Sequence, residues 1–380
     1  MRNYITILIC LVGLSGCLDP YFPPLRPEAV NLLVVDGFLD TSDGTASVTL
    51  SRGVPLTEPN EFPSVKGAFV AVEDGYGNSY PLQEKDSGRY QVTGIPTSGN
   101  TNYRLHLFTS DHDEYYSDFV APLATPEIDS ITYATDSRML TIRVNTHDDT
   151  NQARYFRWAF EETWNYHAAI LSMFIVVAPG QLESRKYDEM IFYCWNTKPS
   201  HDILAFSSER LSRSIVSQFP VQYIPAGSIK LQMRYSILVK QTAISKDEYH
   251  YLEQLRKTTE SIGGLFDPQP GSVTGNINRE QKGSPVAVGY FSAGRSTEKR
   301  IYIDAFTLPK EFREIYPPAG CLQPDTVCGS PGNGCALSVS DLREGHMIGT
   351  AVTKGFTLTN ALCADCRVQG GTTTPPDFWE

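Results

Sequence analysis

Three short clusters of ionisable residues have the composition of catalytic or metal-binding groups. Ser296 and Lys299 match the Ser-x-x-Lys pair, in which a lysine activates a serine, but that pair needs a helical turn and this segment reads as strand-turn-strand. The clusters 111–114 (DHDE) and 147–149 (HDD) resemble metal ligands, yet both fall where hairpin loops are expected and charged residues are usually solvated. The chain contains no His-Glu-x-x-His, Walker or Gly-x-Ser-x-Gly motif. We therefore predict no catalytic residue, no metal and no cofactor.

The cysteines favour a different chemistry, namely disulfide formation. Beyond an amino-terminal leader, the chain has an even set of six: Cys194, Cys321, Cys328, Cys335, Cys363 and Cys366. Five of them crowd into a segment with few apolar residues, where disulfides would limit the unfolded state. We predict at least two bridges, involving Cys321, Cys363 and Cys366, with the full pairing left open. The alternative is a zinc site built on the Cys363-x-x-Cys366 pair.

The amino terminus indicates export and lipid attachment. Arg2 precedes an apolar run from Ile5 to Leu14, which is too short to span a bilayer but suits a secretory signal. The run ends in Leu-Ser-Gly-Cys, which resembles the lipobox of bacterial lipoproteins, in which the cysteine thiol accepts the lipid. We predict a signal peptide over residues 1–16 and a lipid anchor on Cys17. An ordinary secretory signal with an accidental cysteine is the alternative.

Residues 17–29 are rich in proline and predict a stiff tether between the lipid and the folded body. The acidic residues Asp19 and Glu28 follow the cysteine, as in lipoproteins sent to the cell surface, so we expect the surface rather than the periplasmic face of the outer membrane. The formal net charge of −11 disfavours nucleic acid and anionic lipid as nonspecific partners, because both require clustered Lys and Arg.

The elements that must position these groups are mostly β-strands. Alternating apolar residues and turn signals predict an amino-terminal β-sandwich, of immunoglobulin or transthyretin type, over residues 30–122. A second β-sandwich, of fibronectin type III kind, is predicted over 123–310, with an insertion at about 165–220. A Cys-rich segment, 311–380, is expected to pack on the second sandwich. The predicted fold class is thus mainly β, with two tandem sandwiches.

One helix is predicted, over about residues 246–263. Ser245 is its expected cap, and Glu248 completes a capping box by reaching back to the backbone of the cap residue.

Aromatic residues are the candidates for contact with a partner or ligand. In the stretch from Tyr155 to His167 the even-numbered residues share one face, which is typical of a sandwich core. Trp164 and Tyr166 lie past the expected strand end and are candidates for an exposed platform instead. Phe378 and Trp379 have no evident core role and suit a docking contact at the carboxyl terminus.

The second half of the chain resembles a known family. The segments ARYFRWAFEETWNY, YCWN, KLQMRYSILVKQTAIS, GGLFDPQPGSVTGNI, VAVGYFSA and the terminal CADCRVQGGTTTPPDFW together are similar to domain-of-unknown-function 4249, and CLDPYFPP and VVDGFLD fit its amino-terminal pattern. The resemblance implies an outer-membrane lipoprotein of Bacteroidota, often encoded beside a TonB-dependent transporter. The family brings no established activity and therefore no catalytic residues.

Two functional hypotheses remain. The first is a noncatalytic lipoprotein that is an accessory partner of a TonB-dependent transporter in ligand capture or gating. The second is a surface glycan-binding protein or hydrolase with an unrecognised site, which would need convergent carboxylates or a nucleophile in a cleft.

Overall fold

The computed structural model describes residues 32–53, 63–97, 101–178, 181–260, 275–280, 286–315, 325–327, 346–352 and 355–379, with the single residues Val273 and Cys321. The signal peptide 1–16, the tether 17–29 with Cys17, and also Cys328 and Cys335, lie outside the described residues. The described chain is mainly β, as the sequence predicts. None of the helices in these ranges is long and apolar enough to span a bilayer.

The first sandwich consists of two five-stranded sheets that enclose one apolar core. The strands are β1 (Leu33–Asp40), β2 (Thr45–Arg52), β3 (Phe69–Asp74), β4 (Ser79–Pro81), β5 (Gln83–Asp86), β6 (Arg89–Val92), β7 (Tyr103–Phe108), β8 (Glu114–Ser117), β18 (Ile277–Arg279) and β19 (Ala287–Gly294). Their orders in the two sheets are β19-β1-β2-β6-β5 and β18-β8-β7-β3-β4.

Local sequence explains the first hairpin. Alternation places Ala46, Val48 and Leu50 of β2 in the core. The turn to β1 closes at Gly44, whose φ is 69° and whose added Cβ would lie 2.2 Å from the Ile95 carbonyl oxygen. Only glycine satisfies both constraints, as the turn signal in the sequence predicts.

The strands β18 and β19 belong to the first sandwich, and this differs from the predicted domain division. They come from residues assigned to the second sandwich, yet β19 pairs in parallel with β1 over its whole length and β18 pairs with β8. The first sandwich is therefore discontinuous, because most of the second one lies between β8 and β18 in the chain, and the second one resumes with Ser296–Asp304 after β19. Sequence periodicity identifies these segments as strands but carries no information about their distant partners.

The second sandwich packs a three-stranded sheet, β16-β10-β9, against the sheet β14-β11-β17-β20, with β15 also pairing with β11. Its strands are β9 (Ile128–Thr135), β10 (Met139–Asp148), β11 (Tyr155–His167), β14 (Tyr193–Pro199), β15 (Leu204–Ser207), β16 (Ser214–Pro225), β17 (Arg234–Ala243) and β20 (Ser296–Asp304). The predicted insertion over 165–220 is mostly integral to these sheets; only the hairpin of β12 (Phe174–Ala178) and β13 (Gln181–Ser184) stands apart.

The remaining elements connect or cover the sandwiches. The helix α1 (Lys246–Glu260) begins where the sequence predicts, and two single-turn helices follow, α2 (Lys310–Arg313) and α3 (Ala361–Ala364). A small carboxyl-terminal sheet has the order β21-β23-β22, from Asp325–Val327, Gly355–Asn360 and His346–Val352. Short 3-10 turns lie at Tyr187–Glu189, Ile229–Leu231, Ala305–Thr307 and Cys366–Gln369.

The two sandwiches are joined by connections that run side by side. Leu123, leaving the first sandwich, forms a parallel bridge with Gly294, where the chain leaves β19 for the second. The Leu123 amide donates to Ala293 at 3.1 Å, and the Arg295 amide donates to Leu123 at the same distance. Paired connections restrict relative motion of the two bodies more than one flexible linker would.

Candidate functional site

The predicted aromatic platform at Trp164 and Tyr166 does not exist. Both side chains are buried, at 4% and 1% exposure, in the core of the second sandwich. β11 continues to His167, so the alternation that buries Phe156 and Trp158 extends through both residues. The carboxyl-terminal segment covers Tyr166, since the Tyr166 hydroxyl donates to the Cys366 carbonyl oxygen at 2.8 Å. The prediction of an exposed contact at these positions is wrong.

The other predicted contacts, Phe378 and Trp379, pack against the protein itself. The Tyr302 hydroxyl of β20 donates to the Phe378 carbonyl oxygen at 2.7 Å, and its ring meets that of Trp379 edge-on at 6.1 Å. Arg300 lies over the Phe378 ring, and both aromatic side chains are partly exposed. The tail therefore has a structural role that the sequence did not indicate.

Four of the six predicted cysteines form two disulfides. Cys194 pairs with Cys366 across a separation of 172 residues, and Cys321 pairs with Cys363 across 42. The prediction of two bridges that engage Cys321, Cys363 and Cys366 is confirmed. The two cysteines of the Cys-x-x-Cys pair bond to different partners, so they do not form the chelating pair of the zinc alternative.

The Ser296 and Lys299 side chains are used separately. Both lie on β20, and an offset of three residues in a strand directs side chains to opposite faces. The Ser296 hydroxyl donates to Asp40, whereas the Lys299 ammonium donates to the carbonyl oxygens of Ile128 and Asp129 at 3.0 and 2.8 Å. This geometry does not support activation of the serine by the lysine.

The side chains of the acidic hairpin clusters are paired with other groups of the protein. Asp111 pairs with Arg52 at 2.7 Å, and Asp148 accepts the Thr150, Gln152 and Ala153 amides at 2.8 to 3.0 Å. His147 contacts Asp129 at 2.7 Å, and this hydrogen bond raises the pKa of the imidazole above 6.5. Within the described ranges, no group of three or more His, Cys, Asp or Glu side chains has a metal-binding arrangement.

A patch of exposed aromatic residues lies on the outward side of the β8-β7-β3 sheet. We call it the outer aromatic face, and it comprises Phe69, Arg104, His106, Phe108, Tyr116 and Phe119. Phe69, Phe108 and Phe119 are 46%, 37% and 47% exposed. The register explains the grouping, because Phe69 lies opposite Phe108 and His106 lies opposite Tyr116 on neighbouring strands.

Charged contacts hold the polar members of this face in place. Arg104 pairs with Glu73 at 2.7 Å, and its guanidinium lies 4.5 Å from the Tyr116 ring centre and 4.9 Å from that of Phe119. His106 stacks on Tyr116 at 4.3 Å and contacts Glu73 and Glu114 at 3.2 and 2.9 Å. The hydrogen bond with His106 lowers the pKa of Glu114. The face therefore presents aromatic and cationic groups in fixed positions.

A second feature lies between the two sandwiches. We call it the inter-sandwich cavity: a space of about 370 Å³ bounded by β1 and β19 of the first sandwich, by β11 and β15 of the second, and by α1. Glu248 of α1 lines this cavity and is 1% exposed. Its backbone amide donates to the hydroxyl of the predicted cap residue, Ser245, at 3.0 Å.

The Glu248 side chain does not complete the capping box. Its Oε1 instead faces the Arg157 guanidinium at 3.3 Å and the Ser292 hydroxyl at 3.4 Å. Burial raises the pKa of Glu248 above 4.5, although Arg157 opposes the shift. Burial, with the charges of Asp36 and Glu248, also raises the pKa of the neighbouring Tyr251 to about 12.

Neither feature was identified from the sequence. The outward residues of β3 and β7 alternate with core residues and look like an ordinary solvated face, so only the register shows that their aromatic members are adjacent. Glu248 matched a capping motif. Such a local motif gives no information about the second sandwich that packs next to the helix. The signal that was available is the acidic residue at a core-facing position of an amphipathic helix.

Comparison with known proteins gives a family but no activity. No curated protein matches the chain. Among solved structures, a two-domain fibronectin type III segment of chicken tenascin is 11% identical, covering 56% of this chain and 91% of that one, with a TM-score of 0.16. The model of a family described as domain of unknown function (DUF4249) matches residues 19–300. With most of its length matched, the chain belongs to the DUF4249 family.

Proposed function

We propose that this protein is a noncatalytic lipoprotein, anchored in the outer membrane through Cys17 and exposed at the cell surface. In this proposal it is an accessory partner of a TonB-dependent transporter, in ligand capture or gating. The membrane location and the transporter come from the resemblance of the sequence to lipoproteins of Bacteroidota. The face that would contact the transporter comes from the structure.

The outer aromatic face is the observation that carries the proposal. Phe69, Phe108 and Phe119 each leave more than a third of their surface in water, on a sheet whose opposite side is a closed core. Exposed aromatic rings grouped with an arginine have the composition of interface anchors, which are enriched in Trp, Tyr and Arg. We infer that this face is covered when the protein meets its partner.

The side chains of the outer aromatic face are already held in place, and this favours binding. Arg104 is held by Glu73 and by two rings, so little side-chain entropy remains to be lost when a partner docks. Its guanidinium would meet acidic or carbonyl groups at the rim of a transporter, and the rings around it would exclude water from that contact.

The length of the tether is compatible with a contact between the first sandwich and a transporter in the same membrane. Leu33, the first residue of β1, lies sixteen positions after Cys17. At no more than ~3.6 Å per residue, this length keeps the first sandwich within about 58 Å of the lipid. This reach would place the sandwich, with its outer aromatic face, at the height of a neighbouring membrane protein.

The carboxyl-terminal residues are less suited to this role than the sequence indicated. Phe378 and Trp379 pack against Tyr302, and Arg300 covers the Phe378 ring. A partner that used them as anchors would have to displace these internal contacts first.

The test is affinity capture from detergent-solubilised outer membrane of the native host, with the transporter quantified by mass spectrometry. We expect the full-length lipoprotein to enrich a TonB-dependent transporter. The variant Phe69→Ser/Phe119→Ser should reduce this enrichment at least tenfold, since truncating an interface anchor costs about 2 kcal/mol. The matched control is Tyr187→Ser/Tyr223→Ser, which removes two aromatic rings that are 97% and 55% exposed elsewhere.

Two outcomes would contradict the proposal. One is the absence of any transporter from the captured material. The other is equal enrichment by the face variant and the control, which would place the contact elsewhere. Hydrolysis of a glycan or peptide by the purified protein would overturn the noncatalytic assignment itself.

A further inference from the structure

The second sandwich contains a carboxylate in a row of core-facing aromatic residues. Alternation along β11 directs Phe160, Glu162 and Trp164 to the same face of the strand, and all three residues are buried. Moving a charged carboxylate from water into an apolar core is costly unless the charge is paired and hydrogen-bonded. The groups that contact Glu162 therefore show what this core position can do.

The two oxygens of the Glu162 carboxylate contact two different nitrogen groups. The Lys230 ammonium, on the 3-10 turn that precedes β17, donates to Oε1 of Glu162. The side-chain amide of Gln222, near the end of β16, donates from Nε2 to Oε2 of Glu162 at 3.0 Å. Because both groups contact one carboxylate, a lysine amine and a glutamine amide are neighbours in the folded protein.

The surrounding hydrogen bonds favour attack of this amine on this amide. The Tyr223 backbone amide donates to Oε1 of Gln222 at 2.9 Å, which polarises the side-chain carbonyl and would stabilise negative charge on its oxygen. The fully buried Tyr235 hydroxyl donates to Oε2 of Glu162 at 3.0 Å. Burial, with the charge of Glu162, raises the pKa of Tyr235 well above 10, so this hydroxyl keeps its proton at neutral pH and holds the carboxylate in place.

We propose that Lys230 and Gln222 form an isopeptide bond, an amide between their two side chains, with Glu162 as the residue that transfers the protons. Both reacting groups and the proton carrier belong to the folded chain, so their approach requires no second molecule. The reaction needs no oxidant or other co-reactant, since its only by-product is ammonia.

The proposed reaction begins when Oε1 of Glu162 takes a proton from the Lys230 ammonium, which frees the lone pair of Nζ. This lone pair attacks Cδ of Gln222, and the electrons of the carbonyl double bond move to Oε1 of Gln222, beside the Tyr223 amide. Glu162 passes its proton to Nε2 of Gln222 and takes another from Nζ. The Cδ–Nε2 bond then breaks, the carbonyl double bond re-forms, and ammonia leaves with the last proton as ammonium.

The bond would fasten one crossing of the second sandwich. Gln222 belongs to the sheet β16-β10-β9, and Lys230 lies on the turn through which the chain enters β17 of the opposing sheet. The link would hold this crossing closed by a covalent bond. The inference does not depend on the outer aromatic face or on a transporter partner.

Trypsin digestion of the reduced and denatured full-length protein, followed by mass spectrometry, tests the proposal. Trypsin cleaves after Lys and Arg, so an unlinked chain yields the peptides 214–230 and 231–234. The isopeptide bond would block cleavage after Lys230. We expect a single peptide, 214–234, that is lighter than its sequence mass by one ammonia, about 17 Da. Release of the two unmodified peptides from the wild-type protein would overturn the proposal.

Fragmentation of the linked peptide locates the bond. The segment 214–234 contains one lysine and three glutamines, namely Gln218, Gln222 and Gln232. We expect the fragment masses to place the link between Gln222 and Lys230. A link from Lys230 to either of the other two glutamines would overturn the assignment.

Two variants of adjacent residues test the role of the carboxylate. Glu162→Gln removes the proton carrier at nearly constant shape and should yield the two unlinked peptides at their sequence masses. Glu161→Gln is the matched control, because the Glu161 side chain lies on the opposite face of β11, near Arg300, and this variant should keep the linked peptide. Circular dichroism confirms the fold of both variants.

A link that persists in folded Glu162→Gln would show that this carboxylate does not transfer the protons, and would overturn its assigned role. Loss of the link in Glu161→Gln as well would contradict a specific role of Glu162. If Glu162→Gln does not fold, the mass and the fragments of the wild-type peptide still decide whether the bond exists.

Discussion

The Arg300 guanidinium lies 3.6 Å from the centre of the Phe378 ring, which ties the last residues of the chain to the outward side of β20. The tail is thus part of the second sandwich. Its aromatic residues cover part of the outward side of β17 and β20 and shield it from water.

We expect Phe378→Ala to lower the melting temperature by about 2–4 °C. The cation–π contact and the buried ring area together are worth about 1 kcal/mol, and a domain of this size converts that loss into such a shift. Differential scanning calorimetry measures it. Thr374→Ala, at an exposed position of the same tail, is the control and should melt like the wild type. Identical melting of both variants would show that the tail contact adds nothing in solution.

The two disulfides should contribute unequally to stability. The Cys194–Cys366 bridge closes a loop about four times longer than that of Cys321–Cys363, at separations of 172 and 42 residues. Loop-closure entropy then makes the longer bridge more stabilising by about 1 kcal/mol. Urea unfolding of the variants Cys194→Ser/Cys366→Ser and Cys321→Ser/Cys363→Ser tests this order. A larger loss from the second pair would contradict it.

The buried Glu248 should make stability depend on pH. Burial raises the pKa of its carboxyl in the folded protein above 4.5, so the folded state holds its proton more tightly than the unfolded state. Stability from this group is complete below the unfolded pKa and is lost as the pH rises through the folded pKa.

Glu248→Gln should therefore gain stability relative to the wild type as the pH rises from 4 to 8. The two proteins should differ least at pH 4, where both side chains are neutral. Urea unfolding across this range measures the difference, and Glu298→Gln provides a reference at an exposed carboxylate. A constant difference at all pH values would show that Glu248 titrates normally.

The close pairing of β1 with β19 depends on Gly289. A Cβ at this position would lie 1.9 Å from the Val35 carbonyl oxygen. We expect Gly289→Ala to destabilise the protein by about 3 kcal/mol through forced separation of the two strands. Gly77→Ala is the matched control, with a positive φ of 88° but nothing within 4 Å, and should cost only about 1 kcal/mol. Equal losses would refute the packing argument.

Local sequence patterns predicted many of the strands, one turn and the start of the helix. The predictions failed where a strand pairs with a segment that is distant in the sequence. The alternation in β2 and β11, the Gly44 turn and the start of α1 all follow from residues close in sequence. The partners of β18 and β19 are more than 150 residues away, and no local period encodes them.

The candidate site was predicted less well for the same reason. Trp164 is buried because β11 continues past it, and Tyr166 is covered by a segment 200 residues later, as the bond from its hydroxyl to Cys366 shows. Ser245 caps the helix as predicted, by accepting from the Glu248 amide, but the Glu248 side chain contacts Arg157 and Ser292 on other strands and does not complete the predicted capping box.

The parallel pairing of β1 with β19 also sets the order in which the protein can mature. When the first eight strands have emerged from the ribosome, the edges of β1 and β8 still lack their partners, which follow only with residues 277–294. Unpaired edges invite association with other chains, and closing so long a loop is slow. The nascent chain must therefore remain shielded until β18 and β19 have been made, and we expect a fragment ending near residue 122 not to form a stable domain.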